Sequence, residues 1–313
     1  MIGELMYYFE QEVRAGRGVV RLDSENREVL DEIIIKVVEQ SVKLGSEGKK
    51  ATRQAFVATE ENQVKSMNRE AASAGIDGGE LFAAQTADER SFLSSVAGRD
   101  KAEKFEEIKK IIIQRGKPAG LNKCRDTLVF PVGNLDASLA FVGEAPGADE
   151  EQQGQPFVGK AGELLTKMIV AMGLKREDVF ICNVLLRRPS VGPVSDGIQT
   201  GNRPPTPAEM AAERGQLMTF LDLVRPKVVV CLGLSAVKGL LLMPEVTMSQ
   251  VRGRWHEIRE PVRVDVMPTY HPSYLLRNQS VSEKRKVWED LMMVMERLGM
   301  DITERQKNFF KRS

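Results

Sequence analysis

The chain has 313 residues, 42% of them hydrophobic and 28% charged, with a formal net charge of +1, a balance that suits a water-soluble globular fold with some surplus polar sequence. Three widely spaced cysteines, Cys124, Cys182 and Cys231, exclude a disulfide framework and a paired-cysteine metal knuckle, and two histidines leave little for a metal site. No apolar run reaches the roughly 18 residues of a membrane span. The first residues, with Glu4, Glu10 and Glu12 among them, lack a secretory pattern, so a cytoplasmic location is expected.

Residues 1–43 read as an N-terminal helical segment. Leu5, Tyr8, Phe9 and Val13 recur at helical spacing, and Ser24 caps a second helix carrying Val29, Leu30, Ile33, Ile34, Val37 and Val38, so the two are expected to pair. Residues 44–99 turn to Gly, Ser, Ala, Glu, Lys and Gln, with Ala74-Gly75-Ile76-Asp77-Gly78-Gly79 in their middle, and read as a flexible linker. A helix over 100–115 follows, with Phe105, Ile108, Ile111 and Ile112 on one side, which predicts that it docks on the domain after it.

From Arg125 onward strands and helices alternate, which predicts parallel βαβ units between two helical layers. Strands are expected at Leu128–Val132 on an edge, Ser138–Val142, Val179–Val184, Lys227–Leu232 and Val264–Thr269. Helices are expected at Lys160–Met172, Pro207–Val224, Ser235–Leu242 and Ser282–Leu298. The fold class is α/β: a three-layer α/β/α sandwich with a central, mainly parallel four-stranded sheet and an N-terminal helical extension, the catalytic domain spanning 100–313. Residues 116–313 carry 27 Lys and Arg against 23 Asp and Glu, a net +4, while residues 1–115 carry 18 against 21, a net −3. Such a mild asymmetry leaves nucleic-acid binding open, because gripping a few phosphates needs only a local basic rim.

The strand ends carry the chemistry. Leu139 to Val142 end in a turn rich in glycine, proline and carboxylates, where Glu144, Asp149, Glu150 and Glu151 crowd together and Phe157 precedes a helix. Ligands of open α/β sheets bind at this edge. An aromatic face beside carboxylates suits a flat polar ring with positive charge developing next to it. Asn183, at the next strand end, offers a donor and an acceptor to one edge of a base. Ser235 opens a helix whose positive end suits a phosphate, although an ordinary N-cap explains it equally well. His271 is held out of helical geometry by Pro272.

Gly143-Glu144-Ala145-Pro146-Gly147, Glu150, Pro156-Phe157-Val158-Gly159 and Ala161-Gly162 resemble the first motif of the uracil-DNA glycosylase superfamily, and His271-Pro272-Ser273-Tyr274-Leu275-Leu276-Arg277 resembles its second. Asn183, Pro205 to Glu209 and Val251-Arg252-Gly253-Arg254-Trp255 fall in the expected order, and the similarity is greatest to family four, the iron-sulfur type. The resemblance runs from about Leu128 to Leu298. It implies a monofunctional enzyme of base excision repair that flips uracil out of DNA and hydrolyses its N-glycosidic bond. Phe157 would stack on the base, Ala145 would line its pocket, and Asn183 would distinguish uracil from cytosine. His271 would stabilise charge on the departing base, while Glu144 and Glu150 would steady the sugar cation or orient water. Ser235, Ser273, Leu276, Arg277, Arg188 and Arg203 would contact the DNA, Leu275, Leu276 or Arg277 filling the gap left in the duplex.

Two departures stand out. Family four holds its cluster through four cysteines, but the corresponding region upstream reads Gly116-Lys117-Pro118-Ala119-Gly120, and the later positions are Arg187 and Glu213. No cluster and no metal are therefore expected, and Arg187 and Glu213 are expected to pair. The loop from Pro189 to Pro204 is longer than usual for the family. A branch that links itself covalently to uracil-DNA extends this region and uses a histidine; this loop has none, so turnover is expected. The expected partner is uracil-containing DNA, acted on by a monomer, with residues 1–115 a candidate docking segment for another protein. The alternatives are an inactive nucleic-acid-binding relative and a glycosylase with wider taste for deaminated bases such as hypoxanthine.

Overall fold

In the computed structural model, the structure describes residues 96–192, 201–243 and 245–310; the expected helices of 1–43 and the linker up to residue 95 lie outside the described residues. The chain enters on helix α1 (Lys101–Arg115), capped by the Asp100 side chain on the amide of Glu103. Then come strands β1 (Cys124–Leu128), β2 (Val132–Gly133) and β3 (Leu139–Gly143), and helices α2 (Ala148–Gln153) and α3 (Lys160–Ala171). Strands β4 (Phe180–Asn183) and β5 (Arg187–Pro189), helix α4 (Pro207–Val224), strand β6 (Val228–Leu232) and helix α5 (Leu234–Leu241) follow. The described chain ends with α6 (Met248–Val251), β7 (His256–Ile258), β8 (Val264–Thr269), α7 (Pro272–Arg277), α8 (Val281–Arg297) and α9 (Glu304–Lys307).

Strands β3 and β6 read Leu-Ala-Phe-Val-Gly and Val-Val-Val-Cys-Leu and are buried throughout, as strands covered on both faces must be. The sheet has the order β2-β4-β3-β6-β8-β7, with β4, β3, β6 and β8 mutually parallel. Alternation sorts their side chains. Leu139, Phe141, Val228 and Val230 face Leu165 and Ile169 of α3 and Leu291 and Val294 of α8. Ala140, Val142, Val229 and Cys231 face Ile108 and Ile112 of α1, Leu217 and Phe220 of α4, and Val237 and Leu240 of α5. The three-layer sandwich with a parallel four-stranded centre is thus present.

Two antiparallel edge strands, β2 and β7, extend that centre to six strands. The edge expected over Leu128–Val132 divides in two: residues 124–128 leave the sheet to pair with β5 in a separate two-stranded ribbon, and only Val132–Gly133 borders β4. Pro131, which has no amide proton to give a ladder, stands between the two segments.

The docking helix belongs to this core. Phe105 packs against Phe220 with ring centroids 5.4 Å apart, and Lys101 Nζ donates to the carbonyls of Leu135 and Val224 at 3.0 and 3.1 Å. Truncating the fully buried Ile108 to alanine is expected to cost about 2–5 kcal/mol, read as a lowered urea midpoint. A midpoint unchanged from that of the parent would show that α1 is not part of the cooperative unit.

Candidate active site

The chain runs from β3 outward to β4, then crosses back to β6, so the sheet changes direction between β3 and β6. A cleft of about 740 Å³ opens at the carboxyl ends of these strands. Glu144 follows β3, Asn183 ends β4, Gly233 and Ser235 follow β6, and His271 follows β8; all of them line the cleft.

Gly143 is the point of closest approach. A Cβ placed there would lie 2.3 Å from Cζ of Phe157 and 2.4 Å from Oδ1 of Asn183, so ring and carboxamide both press against bare backbone. Asn183 is only 4% exposed and sits beside Gly143 in the parallel register of β3 and β4. The Phe157 ring lies 5.7 Å from the His271 imidazole. His271 in turn approaches the glycine after β6: a Cβ on Gly233, whose φ is +90°, would lie 3.0 Å from the histidine Cβ. Ring, amide and imidazole therefore surround one cavity.

Phe157 holds its position at a cost, because its φ of 55° is left-handed, a conformation that disfavours a β-carbon by roughly 1–2 kcal/mol. Arg176, just before β4, braces it. Its Nη2 donates to the carbonyls of Pro156 and Phe157 at 2.8 and 3.0 Å, and its Nη1 to Thr166 Oγ1 at 3.1 Å. Gly162 completes the seat, since a Cβ there would fall 1.8 Å from the Phe157 carbonyl oxygen.

The imidazole is oriented by the turn it begins. Nδ1 accepts from the Ser273 amide at 3.1 Å and lies 2.7 Å from the Ser273 hydroxyl, which leaves the proton on Nε2. Burial, aided by the charge of Arg277, pushes the His271 pKa down to about 4, so the ring is neutral at neutral pH. Strand β8 is fixed behind it: Thr269 Oγ1 donates to Asp290 Oδ2 at 2.6 Å, and Arg252 Nη1 donates to Asp290 Oδ1 at 2.7 Å.

The carboxylates divide by their donors. Burial raises the Glu144 pKa, opposed by a hydrogen bond from Ser235 and by Arg277. Glu150 is different. Its Oε1 accepts from the amides of Val158 and Gly159 at 3.0 and 2.9 Å, and its Oε2 from Gly147 at 3.0 Å. Both oxygens are engaged by backbone, so Glu150 holds the turn, and it lines the cleft as well.

Ala145, Ser273, Arg277 and Arg203 also line the cleft, while Leu276, 39% exposed, stands outside its walls. Arg188 is only 2% exposed, with Nε on Asn202 Oδ1 at 3.0 Å, Nη1 on Glu151 at 3.0 Å and Nη2 on the Gly201 carbonyl. Arg203 is chelated by both oxygens of Glu209, at 2.8 and 2.6 Å. Of the two arginines expected to reach for phosphates, Arg188 is buried against the loop, and Arg203 is paired with Glu209 of α4 while lining the cleft. Asn202 and Tyr270 line the cleft without having been singled out. Tyr270 could have been found from its place beside His271 at a strand end; the role of Arg176 depends on a backbone angle that no motif displays.

The sequence profile of the Uracil DNA glycosylase superfamily matches residues 130–292, just over half of the chain. The chain belongs to that superfamily. Among its relatives, a type-4 uracil-DNA glycosylase of Thermotoga maritima is 40% identical over 194 residues, covering 59% of this chain and 92% of that protein. Another of that name, from Archaeoglobus fulgidus, is 41% identical over 168 residues, 52% of this chain and 79% of its own. A third, from Pyrobaculum aerophilum, is 35% identical over 165 residues, 51% of this chain and 79% of its own. The matched span holds the whole cleft, and the relatives' type agrees with the family-four resemblance of the motifs.

An iron-sulfur cluster does not fit this superfamily member at the positions the resemblance implies. Arg187 and Glu213 stand there as a buried ion pair, 2.5 Å apart. Cys124 lies elsewhere, on β1, where burial and the neighbouring Glu209 push its pKa up to about 12. Among the described residues no group of three or more His, Cys, Asp and Glu could hold a metal ion.

Because Arg176 touches the Phe157 backbone and not the cleft, Arg176→Met is expected to lower kcat/KM on a uracil substrate about ten-fold while the far-UV circular dichroism stays that of the parent. An unchanged kcat/KM would show that Phe157 keeps its place unaided.

Proposed function

We propose that this protein excises uracil from DNA, leaving an abasic site, as a cytoplasmic, monomeric enzyme of base excision repair that carries no cluster. The observation that carries this reading is the convergence of Phe157, Asn183 and His271 on one cleft around Gly143. No helix among the described residues is long and apolar enough to cross a membrane.

A uracil turned out of the duplex enters the cleft at an unstacking cost of a few kcal/mol and lies on the Phe157 ring. The Asn183 carboxamide accepts from uracil N3–H and donates to O4. Cytosine presents the opposite pattern and would leave a buried amide unpaired. The bond from C1′ to N1 then breaks with its electron pair moving onto the base. His271 Nε2–H donates to uracil O2, where that negative charge collects. Its neutrality suits it to the role: it stabilises the anion by hydrogen bonding with its proton retained.

The sugar left behind carries positive charge at C1′. Glu144 is the cleft carboxylate whose partners are a serine hydroxyl and Arg277, and it stabilises that cation and takes a proton from the water whose oxygen bonds to C1′. Ser235 on α5 and Ser273 and Arg277 on α7 line the cleft and hold the DNA backbone, and the exposed Leu276, outside its walls, fills the gap left in the duplex.

Incubated with a uracil-containing oligonucleotide and then alkali, the protein is expected to yield a single cleavage at the uracil. Asn183→Ala and His271→Ala are each expected to lose about 10²- to 10³-fold in rate. Full activity in both variants, or no cleavage by the folded parent, would remove the proposal. An oligonucleotide with hypoxanthine tests the wider base range.

The histidine state is separately measurable, since the chain has two histidines, His256 and His271, and a His271→Gln variant assigns their NMR signals. The folded pKa of about 4 lies below the ordinary 6.5, so the neutral form contributes stability fully present above 6.5 and lost as pH falls through about 4. The His271 resonance is expected to stay put from pH 8 to 5.5. Titration near 6.5 would show an exposed ring and end the oriented-donor argument.

A further inference from the structure

Strand β5 carries two consecutive arginines to opposite sides, and each is buried, 2% exposed. Arg188 goes to Glu151 after β3 and to Asn202, as described above. Arg187 goes the other way. Its Nη1 donates to Glu213 Oε1 on α4 at 2.5 Å and its Nη2 to the carbonyl of Gly116, the residue that caps α1, at 3.2 Å. The second carboxylate oxygen of Glu213 accepts from the Leu186 amide, also at 2.5 Å. One pair of side chains thus ties three segments that are far apart in sequence: the end of α1, β5 and α4. Glu213 is 0% and Arg187 2% exposed, and Arg187 Nε has no partner among the described residues, so each charge depends on the other.

What the tie holds is a wall of the cleft. β5 and the first turns of α4 are the two roots of the loop that delivers Asn202, Arg203 and Pro204 to the cleft lining. Neither Arg187 nor Glu213 lines the cleft itself. Gly116, Arg187 and Glu213 also fall where the resemblance implies cluster cysteines, and an arginine, a carboxylate and a backbone carbonyl cannot supply thiolates.

We propose that the Arg187–Glu213 pair is an internal crosslink that does in this chain, without iron, what a metal cluster would do at the same place: it fixes the loop 201–204 as the cleft wall against which DNA docks. The inference rests on the uracil-excision reading for its link to DNA. As positioning residues, Arg187 and Glu213 act on substrate only through that wall.

The test uses the full chain, made in iron-supplemented cells. The purified protein is expected to hold well under one iron per chain by elemental analysis, with the same excision rate before and after incubation with an iron chelator. Arg187→Met and Glu213→Leu are each expected to lower Tm by about 10 °C, since each strands a buried charge or its acceptors. Combining them removes both charges, so the double variant is expected to recover to within a few degrees of the parent. Measured at a temperature where every variant is folded, the single variants are expected to raise KM for the oligonucleotide several-fold and to keep kcat within about two-fold of the parent.

Near-stoichiometric iron whose removal abolishes excision would overturn the proposal, as would additive Tm losses in the double variant or a loss confined to kcat. If the folded parent excises no uracil, the function proposed above fails alone. The iron content and the double-variant cycle still judge the crosslink.

Discussion

The structure turns on how closely a ring and an amide can approach the end of β3. Gly143 makes this possible by having no side chain, and other features are arranged to use the space it leaves. The parallel register places Asn183 opposite it. The left-handed Phe157 throws its ring back over it, and that backbone angle persists because Arg176, Gly162 and the amides gathered by Glu150 leave the turn few alternatives. Gly233 repeats the device one strand over, letting His271 come close from β8. Two missing β-carbons, one on each side of the point where the sheet reverses direction, set the width of the cleft.

The same loop shows how neighbouring carboxylates acquire different work. Glu144, Glu150 and Glu151 lie within eight positions and look alike in sequence. Three backbone amides engage Glu150, and two arginines, Arg125 and Arg188, engage Glu151 at 2.8 and 3.0 Å. Burial alone would raise the Glu151 pKa, and the two guanidinium groups hold it below the usual range. Only Glu144 combines burial with a serine hydroxyl and a cation at longer range. A carboxylate so placed is open to new positive charge in the cleft, whereas Glu150 is occupied by backbone amides and Glu151 by two guanidinium groups.

Much of this was legible in the sequence, for reasons that also mark where legibility stops. The strands Leu139–Gly143 and Val228–Leu232 were plain because burial on both faces demands an unbroken apolar run, and α4 was plain because Thr206, Pro207 and Glu209 spell out a capped start. The edge strands β2 and β7 and the ribbon strand β5 have only two or three residues, too few for any period to show. Of the candidate residues, those at the ends of central strands landed in the cleft, because the topology alone puts strand ends together. Arg188 and Arg203 have glutamate partners that the sequence did not show, because whether an arginine faces solvent or a buried glutamate depends on tertiary partners that no local pattern encodes. The pairing of Arg187 with Glu213, by contrast, could be anticipated, since two opposite charges at positions implied to meet leave little other option.

That outcome changes how the charge of this region should be read. The net +4 over residues 116–313 is mild and leaves any grip on phosphates to a local basic rim. Yet Arg187, Arg188 and Arg203 are each matched by an internal glutamate, and Glu209, although burial works against it, is held down to about 2 by Arg203 and so stays ionised across the physiological range. Ion pairs of this kind cancel at a distance and contribute little to the field that a phosphate backbone feels. They act as struts. At the cleft, Arg277 is exposed and lines the wall with Ser235 and Ser273 at the starts of α5 and α7. Three such pairs remove three charges of each sign and leave the net +4 where it was, so the arginines of β5 and its loop serve shape while the excess charge is carried by other residues.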